Sequence, residues 1–425
     1  MRNNTDKTYA ATTIFADGWV DEPNGRGTIG ILWACFFTIF VATYTVLHLN
    51  LPARNESRIR VLIRKTKWMT IAVVVPEVLT ASAFAQYTAA RDSMATMVAL
   101  GHDKWTMRHA FFLNMGGVWL RPRDSDPFPI NATQLLYLVK GKHIDLPSLT
   151  EEEIWDRSKA DSFAKTFACF QIGWLVLQCL GRAVQKLPIT PLEIGTIGFA
   201  IPSVATFLLW FSKPKDIDVP SFLDATESTT ELIQRICPQR SSWRETPLDF
   251  ISTINSPSFT SELILKTPNW PSRKSFLGPS TRIRNDVFGL KYRILDQVFV
   301  GAIWIGYAGV HLLAWSFDFP TRVEQILWQV ACLTMAGSMV VFWTFSNRRF
   351  YQLVAYVWPW KRLELEKVVA ERQRVSTIQI MLGAFVFLAY LSARLCLIVQ
   401  VFITLRKMPL GVFETVNWVA FLPHV

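Results

Sequence analysis

The chain has 425 residues, 51% of them hydrophobic and 18% charged, against about 25% charged residues in an ordinary soluble domain. Its net charge of +11 comes from basic residues beside apolar segments and not from one compact arm, which argues against a nucleic-acid partner. The six cysteines form no CxxC pair and no cluster with histidine. The sequence therefore indicates no zinc site and no disulfide framework, and neither a metal nor a cofactor is expected.

Apolar segments long enough to cross a bilayer recur along the chain. Seven are predicted as spans: residues 28–49, 69–90, 166–181, 194–212, 297–317, 325–347 and 375–405. Residues 93–120 are an eighth candidate, although their charges favour an interfacial or re-entrant position. The sequence thus predicts an all-α, polytopic membrane protein with seven or eight transmembrane helices embedded in a lipid bilayer.

Basic residues beside the first span indicate its orientation, because Lys and Arg in short loops stay in the cytosol. Residues 50–68 are strongly basic, whereas residues 1–27 are slightly acidic. The amino terminus is therefore predicted to be lumenal, with the first span as an uncleaved anchor, which favours the endoplasmic reticulum. With seven spans the basic loop 348–374 would be lumenal as well, and one extra crossing would remove this conflict.

The predicted organisation has five parts along the chain. They are a lumenal segment 1–27, a first membrane region 28–212 with four spans and the polar loop 91–165, a polar extramembrane loop 213–296, a second membrane region 297–405 with three spans, and a tail 406–425. We interpret the two long loops as lids and tethers, because neither has enough apolar periodicity for a core. Of the glycosylation sequons at Asn3, Asn55 and Asn131, this topology makes the first and third lumenal, which predicts a glycoprotein.

Glu77 is a carboxylate inside the second predicted span, directly after Pro76. A charge at the bilayer centre costs about 2.5–3.5 kcal/mol on insertion scales, so such a group normally faces protein or water. A carboxylic acid that burial keeps neutral is a proton donor, which makes Glu77 a candidate catalytic residue. The alternative is a structural role, in which Glu77 pairs with Arg394 or satisfies backbone that Pro76 leaves unbonded.

Other candidates flank the spans or lie within them. Asp17 and Glu22 precede the first span and could form an acid site at the membrane surface, or they could belong to a solvated anchor region. Aromatic faces stabilise cations. The candidate substrate-binding residues are Trp33, Tyr44, Trp174 and Arg394.

Several motifs resemble a largely uncharacterised family of multi-pass proteins from filamentous fungi, over nearly the whole chain. They are GRGTIGILWACFFTIFVATYTVLHLNLP, the KWM and PE motifs of the second span, HAFFLNMGG and the closing VNWVAFLPHV. The chain also resembles, more loosely, the membrane-bound terpene cyclases of fungal meroterpenoid pathways of the ascofuranone and macrophorin type. That resemblance implies cyclisation of a prenylated metabolite in secondary metabolism. Because the sequence has no DDxxD-like cluster for magnesium, such a reaction would begin by protonation.

The functional prediction is therefore a membrane-embedded terpene cyclase or isomerase that acts on a lipophilic small molecule, with Glu77 as the proton donor. Two alternatives stay open. A transporter could use Glu77 and Arg394 to line a pathway, and a membrane scaffold would carry out no chemistry.

Overall fold

A computed structural model of the chain describes residues 14–22, 25–157, 160–225, 227–236, 246–248, 251, 282–283, 285, 294–346 and 377–421. These residues are mostly helical and belong to two compact units. Unit 1 comprises Met1–Phe40, Phe170–Ala200 and Ile305–Val425, and unit 2 comprises Val41–Cys169 and Ile201–Trp304.

The described α-helices are, in chain order, α1 (Thr28–Val46), α2 (Arg58–Val74), α3 (Pro76–Ala99), α4 (Met107–Asn114), α5 (Ala132–Lys140), α6 (Glu151–Asp156), α7 (Ala160–Val184), α8 (Pro191–Leu209), α9 (Thr229–Ile236), α10 (Ile294–Leu312), α11 (Arg322–Ser346) and α12 (Thr377–Ile403). Six of these described helices are long and apolar enough to cross a membrane, namely α1, α7, α8, α10, α11 and α12. The chain is thus a helical protein with six candidate membrane spans.

The second predicted span is not one straight helix. Helix α2 ends at Val74, α3 begins at Pro76, and the two are bent by 111°. Proline lacks the backbone N–H and clashes with the preceding turn, so it ends α2, whereas the first position of α3 needs no such donor. Seven spans would require this bent pair to cross as one, and residues 93–120 hold the end of α3, α4 and a strand. Seven or eight spans are therefore not confirmed.

Five short strands in the described residues modify the predicted all-α class. In unit 1, β1 (Phe15–Asp17) pairs antiparallel with β5 (Lys407–Pro409). In unit 2, β2 (Val118–Arg121) pairs antiparallel with β3 (Phe128–Pro129) and parallel with β4 (Ser221–Asp224). The first sheet joins the two ends of the described chain, and the second joins the two long loops.

The two long loops build a common core in unit 2. Its fully buried members include Leu120, Leu135, Leu138, Ile154 and Leu248. The amide of Gln134 donates to the carbonyl of Leu248 at 2.9 Å, which adds a polar tie between the loops. This core corrects the interpretation of the loops as lids and tethers. Each loop supplies only part of the apolar set, so the periodicity of neither one reveals the core.

Helix α3 is also fixed against α8 within unit 2. The hydroxyl of Thr80 lies 2.9 Å from that of Thr206 and donates to the carbonyl of Pro202 at 3.2 Å. Leu79, Ala83 and Phe84 on the same helix lie in a buried apolar cluster with Trp210. Half of α3 is therefore buried in protein.

Candidate functional site

Unit 1 contains a cavity of about 260 Å³. It is lined by residues 187–191 between α7 and α8, residues 316–318 after α10, and residues 404, 407–409 and 412 after α12. Most of the lining residues are leucine, isoleucine, proline, phenylalanine, methionine or valine, and the charged lining residues are Asp318 and Lys407. An apolar wall with a few polar groups is the usual character of a small-molecule site.

Arg182 holds two parts of the cavity wall together. Its side chain is 1% exposed, and it donates to the carbonyls of Pro188 (2.9 and 2.8 Å), Gly411 (2.9 Å), Val412 (2.9 Å) and Glu414 (2.7 Å). The planar guanidinium presents five N–H groups, which suits several carbonyls at once. The chain also approaches itself closely here, since a Cβ at Gly411 would lie 2.9 Å from Cδ of Pro188. Arg182 therefore shapes the cavity without lining it.

Asp17, a predicted catalytic residue, lies beside a residue that lines the cavity. Residues Asp17 and Lys407 are opposite each other in the β1–β5 register, and the Lys407 Nζ lies 3.6 Å from the Asp17 Oδ1. Asp17 is 80% exposed and Lys407 is 42% exposed, so this is a solvated ion pair of small energetic value. The structure thus brings Asp17 near the cavity but does not make it a lining residue.

Glu193 is a buried carboxylate beneath the cavity that the sequence did not single out as a catalytic candidate. Its carboxylate accepts from the backbone N–H and the hydroxyl of Thr190, both at 2.9 Å, and it forms an ion pair with Arg26. Thr190 lines the cavity. Glu22 does not line the cavity. Its side chain packs over Gly27 and Gly30 at the first turn of α1, where the helix dipole favours an acid.

None of the predicted aromatic residues lines the cavity of unit 1. Trp33, Tyr44 and Trp174 are 66%, 46% and 48% exposed. Trp33 stacks on Phe37, and Trp174 stacks on Trp418. Where their helices span a membrane, side chains this exposed face lipid. The substrate-binding role that the sequence predicts for them stays a prediction.

Glu77 and Arg394 lie in different local environments, the first at a helix N-terminus and the second beside a histidine ring. Glu77 is 7% exposed in the first turn of α3, in unit 2, where the N-terminal end of the helix dipole favours a carboxylate. Arg394, in unit 1, donates to the His311 ring at 3.1 Å, and the other ring nitrogen of His311 lies 2.9 Å from the Tyr307 carbonyl oxygen. The bend at Pro76 leaves Glu77 at a helix end and not in the middle of a straight span.

Unit 2 contains a second polar site, centred on Lys213. This side chain is 2% exposed, and its ammonium donates to the side-chain oxygens of Asn50 at 2.9 Å and Gln86 at 2.7 Å. The ammonium also lies 4.6 Å from the ring centre of Trp210. The sequence shows Lys213 only as a basic residue that follows an apolar segment, so no sequence signal identified it.

Asn285 extends this network, which we call the Lys213 network. Its side-chain oxygen accepts from the backbone N–H of Asn50 at 2.6 Å, and its carbonyl accepts from Ser82 at 3.2 Å and Gln86 at 3.3 Å. Burial lowers the pKa of the Lys213 amine well below its usual value, because the amide oxygens solvate an ammonium less well than water does. An amine with a lowered pKa can act as a base or a nucleophile.

Lys215, two residues later, has a simpler role. Its ammonium donates to the carbonyls of Tyr44 at 2.9 Å and Thr45 at 3.3 Å, and it lies 4.6 Å from the ring centre of Tyr44. A cation at the C-terminal carbonyls of a helix is favourable, so Lys215 caps α1. Among the described residues, no group of three or more His, Cys, Asp and Glu side chains could hold a metal ion.

Comparison with other proteins gives a family and no activity. No curated protein and no solved structure matches the chain. The resemblance to fungal terpene cyclases therefore stays a prediction. Residues 4–262 and 266–425 match the model of a family of unknown function, DUF8562, and the chain belongs to that family.

Proposed function

We propose that this protein binds a small lipophilic metabolite with a polar head in the cavity of unit 1 and converts it by proton transfer. The observation that supports this proposal is the apolar wall with Asp318 and Lys407 beside it. The apolar residues would receive the hydrophobic part of the ligand, and the ammonium and carboxylate would bind its oxygen-bearing part.

The size of the cavity limits what it could hold. At about 260 Å³ it is slightly smaller than the roughly 300–1,000 Å³ of common ligand sites. It would therefore accept a small molecule, or the head of a longer one whose chain continues along the protein surface. A prenylated phenol fits the second description, so the cyclisation that the sequence predicts is the reaction to test first.

Six membrane crossings fit this protein better than seven or eight. Strands β1 and β5 pair, which requires residues 15–17 and 407–409 to lie on the same side of the membrane, so the number of crossings must be even. The six apolar helices meet this requirement. Seven crossings would separate the two strands, and eight would need two more spans than the described helices supply.

Six crossings also resolve the charge conflict of the second half. Residues 47–162, 210–293 and 347–376 would then be cytosolic, and this assignment places the basic loops 50–68 and 348–374 together on the side that Lys and Arg favour. The pairing of β2 with β4 supports the same side for the first two of these segments. The cavity would be lumenal, and the endoplasmic reticulum stays a prediction.

This topology has its own test, using the native sequons. Endoglycosidase treatment of the protein from microsomes should show no glycan at Asn55 or Asn131, because both would be cytosolic. Asn131 also accepts from the backbone N–H of Gln134 at 3.0 Å as the N-cap of α5. A glycan that is lost in an Asn131→Gln variant would contradict six crossings.

Metabolite conversion tests the proposed function directly. Microsomes that contain the full chain would be supplied with a panel of prenylated phenol epoxides and olefins, and products would be identified by mass spectrometry. We expect a new cyclised product that decreases at least about tenfold in Asp318→Asn and in Lys407→Gln, the change that about 1.4 kcal/mol produces. Asp103→Asn, at an exposed carboxylate of unit 2, is the matched control.

The Glu77→Gln variant separates the two possible acids. Loss of product in Glu77→Gln, with Asp318→Asn unaffected and both proteins at equal abundance, would return the catalytic role to Glu77. No product from any variant or from the wild-type protein, all stably inserted, would contradict the enzyme proposal.

Transport is a second candidate because a helix that begins at a sharp bend meets a proline-containing helix in unit 2. Pro76 begins α3 at the 111° bend, Pro202 lies inside α8, and Thr80 links the two helices through the Pro202 carbonyl. Broken helices recur at transporter binding sites. Accumulation of an unchanged panel compound inside proteoliposomes, without a product, would favour this candidate over the enzyme.

A further inference from the structure

Helix α2 has one face against protein and one face exposed. Arg64, Trp68 and Ala72 are buried, at intervals of four residues. On the opposite face Ile59, Leu62 and Ile63 are 71%, 63% and 62% exposed. Residues three and four apart lie on one side of a helix, so these three side chains form a continuous apolar surface.

Thr66 and Thr70 continue this exposed face toward the bend. The hydroxyl of Thr70 donates to the carbonyl of Thr66 at 3.0 Å, so its polar group is already bonded within the helix. We call Ile59, Leu62, Ile63, Thr66 and Thr70 the outer face of α2.

Basic residues border the outer face on both sides. At 100° per residue, Arg58 and Lys65 lie along one border, and Arg60 and Lys67 lie along the other. Lys65 also forms an ion pair of 2.7 Å with Asp216, whereas Arg58, Arg60 and Lys67 are exposed. Long basic side chains cover apolar surface with their methylene stems while their charged ends reach outward, as in helices that lie at a membrane surface.

The length of α2 argues against a crossing. The uncharged part after Lys67 runs from Trp68 to Val74, which is about 10 Å at 1.5 Å per residue, against a hydrocarbon core of about 30 Å. The chain then bends by 111° into α3, half of which is buried in protein. A lipid-crossing path through α2 would leave its basic residues in the hydrocarbon.

We propose that α2 lies in the plane of the cytosolic membrane surface, with its outer face among the acyl chains and its basic borders on anionic phospholipid head groups. The occupant follows from charge complementarity. An apolar strip between two basic borders matches a negatively charged lipid surface, which attracts juxtamembrane basic residues. The inference rests on the geometry of α2 and is independent of the ligand proposed for the cavity.

Depth measurements on the full-length protein test the orientation. Single cysteines at Ile59, Leu62, Thr66 and Thr70, in a chain whose six native cysteines are replaced, would carry a polarity-sensitive fluorophore in phosphatidylcholine–phosphatidylserine nanodiscs. We expect quenching by brominated lipids at all four positions, with a similar shallow depth at each. A helix that crosses would change depth by about 16 Å between Ile59 and Thr70, which would overturn the proposal.

The choice of lipid tests the basic borders. At position 62 we expect brominated phosphatidylserine to quench more strongly than brominated phosphatidylcholine. This preference should fall by up to about fivefold for each charge removed in Arg60→Gln and Lys67→Gln. Lys104→Gln, at an exposed lysine of the same unit, should leave the preference unchanged. An unchanged preference in the border variants would exclude specific head-group binding.

A protein partner would give a different result. A water-soluble thiol reagent would then label all four cysteines in nanodiscs, while native microsomes would protect them. That outcome would assign the outer face to another protein and overturn the lipid proposal.

Discussion

Units 1 and 2 each contain a buried cation that donates to uncharged oxygens, but the two cations differ in what they can do. Arg182 in unit 1 binds backbone carbonyls at the cavity wall, and Lys213 in unit 2 binds the amide side chains of Asn50 and Gln86. Arginine keeps its proton under all ordinary conditions, whereas a buried lysine can lose it.

The difference separates a structural cation from a titratable one. Arg182 ties together loops that line the cavity of unit 1, and that lining includes the 42% exposed Lys407. Lys213 itself is closed to solvent, and burial lowers the pKa of its amine. A ligand can therefore reach unit 1 directly, while the Lys213 network changes its charge with pH.

Replacing Arg182 should have the largest effect on the stability of the protein. Arg182→Met leaves the carbonyls of residues 188, 411, 412 and 414 without their charged donor, and each such hydrogen bond contributes about 1.5–3 kcal/mol. We expect a strong fall in the unfolding temperature of the detergent-purified protein and loss of conversion at the cavity. Arg322→Met, at an exposed arginine of unit 1, is the control. If Arg182→Lys were as stable as the wild-type protein, the forked geometry would not be what holds the wall.

Replacing Lys213 should have the next largest effect on the stability of the protein. Lys213→Met leaves the amide oxygens of Asn50 and Gln86 unsatisfied in a buried site, at a cost of about 1–3 kcal/mol each. The unfolding temperature should fall clearly, whereas Lys104→Met should change it little because Lys104 is exposed. Equal stability of the two variants would mean that the Lys213 network does not hold unit 2 together.

The pH dependence of stability sharpens the contrast between the two cations. Because the pKa of Lys213 is lower in the folded state, the unfolded chain binds a proton that the folded chain lacks between the two pKa values. In that window stability rises with pH, by at most about 1.4 kcal/mol per unit, and it is lost as the pH falls toward the folded-state pKa. Unfolding temperatures from about pH 7 to about pH 10 should therefore rise less steeply in Lys213→Met than in the wild-type protein. Identical slopes would show that Lys213 does not titrate in this range.

The smallest effect on stability is expected at the cavity rim. Asp17→Asn removes a solvated ion pair with Lys407, which is worth about 0–1 kcal/mol. Its unfolding temperature should match that of Asp21→Asn, an exposed control in the same segment. Loss of product in Asp17→Asn alone, at unchanged stability, would support the catalytic role that the sequence predicts for Asp17. Normal turnover in both variants would reduce Asp17 to a surface partner of Lys407.

The span predictions show which patterns a sequence reveals. Six predicted spans correspond to α1, α7, α8, α10, α11 and α12, because a long apolar run is a local property that lipid requires. The second predicted span is a pair of helices bent by 111°, and its crossing is not confirmed. Pro76 can be read directly from the sequence, but hydropathy alone does not say whether a proline bends a crossing helix or ends it.

The candidate sites depend on contacts between residues that are far apart in the sequence, and no local sequence pattern predicts such contacts. Lys213 meets Asn50 and Gln86 across 163 and 127 residues, and Arg182 meets Gly411 across 229. The common core of the two long loops has the same origin, since each loop supplies only part of it. The sequence predicted a position near the membrane surface for Asp17, but its position beside Lys407 followed only from the pairing of β1 with β5.

The sequence by itself determined that this chain is helical, with apolar segments long enough to cross a membrane and basic residues beside them, because hydrophobicity and charge act residue by residue along the chain. Only the tertiary structure decided that the 69–90 segment bends, that the long loops fold together, and which of many charged residues are buried. Burial and hydrogen-bond partners depend on which distant segments meet in space. The cavity and the Lys213 network both arise from such meetings.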